Sequence, residues 1–111
     1  MKFSRKKLIS DLEEGEMIDD IFVVKVKRGM QKYQKGYSFN LLLSDETGDT
    51  VSYIFWGPDD EARVRNLYNA IKQDSVVRVQ GRVSSYHGRM QIATNEPMTI
   101  EVLADDQYDK D

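Results

Sequence analysis

Trp56, the only tryptophan of the chain, ends a short aromatic run, VSYIFW, while Tyr33 and Tyr86 lie in polar surroundings. Rings held away from a core offer flat faces on which other planar groups stack. Cations stand close to them in the sequence. Residues 25–35 carry Lys25, Lys27, Arg28, Lys32 and Lys35 without one acid, and residues 78–91 carry Arg78, Arg82 and Arg89, again without an acid. Rings interleaved with cations suit a ligand that is both planar and anionic. Other chemistry is poorly provided for. The chain has no cysteine and one histidine, His87, so it offers neither a thiolate nucleophile nor a set of zinc ligands, and no metal or cofactor is expected. It has no glycine-rich phosphate loop and no Ser/His/Asp set, and Asp59 and Asp60 stand where a helix start explains them. The chain therefore reads as non-catalytic, with Asp45, Thr47 and Gly48 as turn-capping residues.

Those rings and cations need elements to hold them. At 111 residues, 40% of them hydrophobic, the chain can bury one core. Alternation of Phe22, Val24 and Val26 with Val23, Lys25 and Lys27 predicts a half-buried strand over 18–28. GMQKYQKG, bounded by Gly29 and Gly36, reads as a loop. Tyr37, Phe39, Leu41 and Leu43 give the second strand one apolar face, DETGDT supplies a turn, and residues 51–56 return antiparallel as the third strand. If Val51, Tyr53 and Phe55 point inward, then Ser52, Ile54 and Trp56 point outward beside Ser38, Asn40 and Leu42. A slip of one residue would invert each of these assignments.

At Gly57 and Pro58 the period changes. Val64, Leu67, Tyr68 and Ile71 fall at helical spacing behind acids suited to a helix N-terminus, which predicts a helix over 59–72. Val77, Val79, Gly81 and Val83 mark a fourth strand, YHGR at 86–89 a tight turn, residues 90–94 a fifth strand, and 98–103 a further short strand or helix.

Three strands, a helix and two strands make a mainly β chain. The order predicts a five-stranded Greek-key OB-fold barrel with one helix between strands three and four, a small mixed α+β sandwich being the alternative. SFNLLLSDETGDTVSYIFWG, followed by the helix and SVVRVQGRVSSYHGRMQI, resembles the nucleic-acid-binding OB-fold family. That family includes domains of replication protein A, anticodon-binding domains and the N-terminal domain of HD-type exoribonucleases. ISDLEEGEMIDDIFVVKVKR is similar to the entry of the last of these. The resemblance runs over residues 8–95 and rests on Asp45, Thr47, Gly48, Trp56, Val77, Val79, Gly81, Val83 and Gly88. The third strand is one residue longer than the family's usual pattern, so Trp56, and not Phe55, takes the aromatic position.

The resemblance implies a site on the outer face of strands two and three, between the loop joining strands one and two and the loop joining strands four and five. Single-stranded DNA or RNA would bind there through stacked bases and neutralised phosphates. The first loop and its flanks contribute Lys25, Lys27, Arg28, Lys32, Tyr33 and Lys35. The sheet contributes Ser38, Asn40, Ser52, Ile54 and Trp56, and the second hairpin Arg82, Tyr86, His87 and Arg89.

The net charge of −3 is segregated along the chain. Six acids and no base fall in residues 11–20, and five acids against Lys110 in residues 101–111. We therefore divide the chain into a basic-then-acidic lead, 1–16, an OB-fold domain, 17–103, and an acidic tail, 104–111, expected to be disordered. The acidic ends also admit a second reading, a protein-interaction or accessory subunit of a nucleic-acid-processing complex. The tail serves either reading, recruiting a protein partner or competing with nucleic acid for the basic groove. No apolar run is long enough to span a membrane. The absence of cysteine, and of an apolar centre in MKFSRKKLIS, suits a cytoplasmic setting.

Overall fold

β1, Met17–Tyr33, is long enough to serve two neighbours, and this is what closes the sheet. Its first half pairs antiparallel with β4, Val76–Tyr86, in a register from Met17↔Arg82 to Val23↔Val76. Its second half pairs with β2, Gly36–Ser44, from Val23↔Ser44 to Tyr33↔Gly36. β3, Thr50–Trp56, follows β2, and β5, Arg89–Asn95, lies between β3 and β4, parallel to the former and antiparallel to the latter. The circuit β1-β2-β3-β5-β4 thus returns to β1, which removes the free edges of the sheet. In this computed structural model residues 2–109 are described. The five-stranded barrel, with α1, Glu61–Ala70, between β3 and β4, is the architecture the sequence predicts.

Strand alternation fills the interior. Val24, Phe39, Leu41, Leu43, Tyr53, Val77, Val79, Val83 and Ile92 are all at most 1% exposed. Truncating one of these, such as Leu41→Ala, removes packing worth about 2–5 kcal/mol. Helix α1 lays Val64 on this core, and Ile71 just beyond it is equally buried. The helix begins where Asp60 accepts a hydrogen bond from the Arg63 N–H at 3.1 Å, satisfying one of the orphan donors of the first turn.

Several elements differ from their expected bounds. Residues 29–36 do not form a loop. Met30, Gln31, Lys32 and Tyr33 pair with Phe39, Ser38, Tyr37 and Gly36, leaving only Gln34 and Lys35 in the turn. The strand passes Gly29 at a bulge, where the chain needs no side chain to pack. Gly36 is required for a different reason. A Cβ there would collide with the backbone of Gly57 and Pro58, on which the hairpin tip rests. An earlier bulge, between Val24 and Val26, turns Val26 outward to 39% exposure, although simple alternation predicts it in the core. The helix is shorter than residues 59–72, and residues 98–103 contain a strand, β6, Ile100–Val102, on the outer side of β4.

The lead and tail are fastened to this barrel. Asp20, 3% exposed, accepts the N–H groups of Lys6 and Lys7 at 3.0 and 2.9 Å, and Asp45 accepts that of Ile9 at 2.7 Å. Over the expected disordered tail, the described residues show a turn at Asp105 and Asp106 and a bridge between Tyr108 and Phe3, and Asp109 N–H donates to the carbonyl of Phe3 at 2.8 Å. Residues 110 and 111 lie outside the described residues.

Candidate functional site

β3 contains no bulge, so its alternation settles the face of Trp56. Val51, Tyr53 and Phe55 are buried, whereas Ser52 is exposed and Ile54 and Trp56 are half-buried on the other side. The register then builds a lattice around this column. Ser52 lies between Leu42 and Gln91, Ile54 between Asn40 and Ala93, and Trp56 between Ser38 and Asn95. No charged residue occupies any of these nine positions. Ser38, only 4% exposed, is covered and offers little to a ligand.

Tyr33 does not project from a loop. Its ring meets Trp56 edge-to-face, with centroids 4.8 Å apart and planes at 65°, and its hydroxyl donates to the Gly57 carbonyl at 2.8 Å. Such aromatic contacts contribute about 0.5–1.5 kcal/mol beyond burial. Tyr33 therefore holds the indole in place while both rings stay partly open. At the other end of the face, His87 and Gly88 take positive φ of 51° and 76°, the pair of conformations a two-residue hairpin turn requires. This sharp turn sets Tyr86, 61% exposed, opposite Arg89. The His87 ring stands at 73° to that of Tyr86, with centroids 4.3 Å apart. Ser52, Tyr86, His87, Arg89, Met90 and Gln91 line one groove of about 250 Å³.

The expected basic loop divides into two groups, because the bulges change the parity of β1. Lys25 and Arg28 are exposed at the bulges and Lys35 at the turn. Lys27 pairs with Leu41 and Lys32 with Tyr37, positions on the side of the sheet that carries α1. The Lys27 ammonium lies 3.9 Å from the centroid of the Tyr68 ring. Burial, and then the charge of Lys72, hold its pKa below the usual lysine value. Lys32 donates to Asp59 at 2.9 Å and lies 4.6 Å from the Tyr37 ring centroid. The hydrogen bond to Asp59 raises its pKa. Arg82 is exposed beside Ala93, and its Nε donates to Met17 Sδ at 3.4 Å.

The structure thus brings Tyr33, Asn40, Ile54 and Trp56 together, and Ser52, Tyr86, His87 and Arg89 together, with Lys25, Arg28, Lys35 and Arg82 at the margins. It does not bring Lys27 and Lys32 to this face. Sequence reasoning missed the β5 column, Gln91, Ala93 and Asn95. The signal was present, since these positions alternate with buried Ile92 and Thr94. Their place beside Trp56, however, comes from the parallel β3–β5 pairing, which no local pattern announces.

Asp45 anchors the turn next to this face. Burial works to raise its pKa, but hydrogen bonds from the Thr47 hydroxyl and N–H and from the Ile9 N–H outweigh burial and hold the carboxyl below its usual value. It is a capping group, as its spacing predicts.

These features define an OB-fold barrel, and comparison with solved structures agrees. The second OB-fold domain of replication protein A from Methanococcus maripaludis is similar at 18% identity, over 90% of this chain and 94% of that one, with a TM-score of 0.67. A replication protein A heterotrimer bound to ssDNA is similar at 16% identity, over 90% of this chain and 25% of that one, with a TM-score of 0.64. The structure of fission yeast Pot1 and ssDNA matches at 14% identity, over 90% of this chain and 40% of that one, with a TM-score of 0.59. The chain spans about half or less of several structures it resembles. No protein-family model and no curated protein sequence matches it.

Proposed function

We propose that this chain binds single-stranded nucleic acid, without catalysis, across the outer face of β2, β3 and β5. The observation that carries this reading is Trp56, which stands on the outside of a bulge-free strand and is held there by Tyr33. Bases stack on the Trp56–Tyr33 corner and on Tyr86, while Lys25, Arg28, Lys35, Arg82 and Arg89 meet phosphates along the margins. An uncharged centre with cations at its border suits a strand whose bases turn inward and whose backbone runs outside. Two of the similar structures, the replication protein A heterotrimer and Pot1, are described with ssDNA, which supports the same reading.

The test is a titration of the full chain with a fluorescently labelled single strand at two salt concentrations, with unlabelled duplex as competitor. We expect Trp56 quenching and a rise in anisotropy that single strands, and not duplex, reverse. If tryptophan emission and anisotropy both stay flat at low salt, the proposal fails.

A further inference from the structure

Asn40 and Asn95 lie on either side of the Trp56 column, Asn95 directly beside Trp56 on β5 and Asn40 one step along on β2, next to Ile54. Alternation with buried Phe39 and Leu41, and with buried Thr94, places both on the outer face. Neither carboxamide makes a hydrogen bond among the described residues. Asn40 is half-buried as a residue, and its side chain gains no protein hydrogen bond. None of the nine positions around the Trp56 column carries a charge; the neighbouring cations are Arg28, in the bulge opposite Asn40, and Arg82, paired with Ala93.

Resting on the function proposed above, we propose that Asn40 and Asn95 read the edge of the base stacked on Trp56, and that this base is adenine. A carboxamide presents a donor and an acceptor side by side. Adenine places its amino group between two ring-nitrogen acceptors, so both of its hydrogen-bonding edges match that pair. Cytosine offers one such edge. Guanine matches a carboxamide on its pairing edge, where O6 accepts beside the N1–H donor, but its outer edge presents two acceptors, a pattern that suits arginine, so only one of these two edges fits. Thymine matches on both sides of its ring N–H but has a single ring and covers less of an indole face. Adenine is thus the base that combines a two-ring stacking surface with two matching edges. Asn40 and Asn95 approach it from opposite sides of β3, their backbones about 12 Å apart, two strand spacings across and two residues along.

The experiment uses the full chain and strands of about twelve nucleotides, with cytosine throughout except one central position. That position is adenine, cytosine or abasic. We expect the central adenine to bind about tenfold tighter than cytosine, the ratio one good carboxamide pairing supplies. Asn40→Ala and Asn95→Ala should each shrink this ratio, and the double variant should abolish it. Trp56→Ala should instead weaken the adenine and cytosine strands together. Equal affinity for adenine and cytosine in the unaltered chain overturns the assignment, as does a preference that survives in the double variant. Failure of every strand to bind overturns the underlying function as well, so the two failures are distinguishable.

Discussion

The parity change in β1 makes a quantitative prediction about salt. By sequence alone seven cations border the site: Lys25, Lys27, Arg28, Lys32, Lys35, Arg82 and Arg89. The structure removes two of them. Lys27 lies over Tyr68, and Lys32 is committed to Asp59 on the side that carries α1. Each phosphate neutralised on a single strand contributes about −0.7 to the slope of log K against log salt. Five contacts give a slope of about −3.5, and seven about −5. Between roughly 50 and 200 mM salt, affinity should then fall about 100-fold instead of about 1,000-fold. Anisotropy titrations across that range measure the slope directly. Replacing single cations locates it, since Lys25→Ala or Arg89→Ala should flatten the slope by about 0.7 while Lys32→Ala leaves it unchanged. A slope near −5, or a Lys32→Ala effect equal to that of Lys25→Ala, would refute the parity argument.

Trp56→Ala should cost about 1–3 kcal/mol of binding to any single strand, and should lower stability only by its contact with Tyr33, about 0.5–1.5 kcal/mol, which chemical denaturation measures separately. Asp45→Ala should destabilise the fold by about 1–3 kcal/mol, because it leaves the N–H groups of Ile9 and Thr47 without their acceptor; chemical denaturation measures this. The native pKa of Asp45 is depressed, so its contribution is complete above its unfolded value of about 4 and is lost as pH falls through the lower native value. The pH dependence of stability below pH 4 should therefore be shallower in Asp45→Asn than in the unaltered chain. Gly36→Ala should lower stability by about 1–3 kcal/mol, since the new methyl meets the backbone of Gly57 and Pro58, which cannot swing aside as a side chain can. Denaturation of that variant beside Gly29→Ala, where a Cβ meets nothing within 4 Å, separates the contact from the general effect of losing a glycine.

The face of Trp56 and the parity of the lysines were unequally legible, and the difference is physical. A strand read by alternation is read correctly only while the register advances one residue at a time. β3 satisfies that condition over its whole length, so Val51, Tyr53 and Phe55 fix where Trp56 points. β1 violates it twice, and each bulge inserts residues that the partner strand does not match. Val26 shows it: its apolar side chain continues the pattern of Phe22 and Val24, yet it sits outside, paired with Leu42. The cost of exposing one valine is small, so the bulge need not show in composition. GMQKYQKG hides the second bulge in the same way, because its glycines suit a loop as well as they suit a bulge or a close approach. The charge run of residues 25–35 was visible at once, but charge is shared among the faces of a strand by register, and register is a property of the pairing. Which lysines a ligand can reach was therefore decided by Leu41 and Tyr37, residues that carry no charge at all.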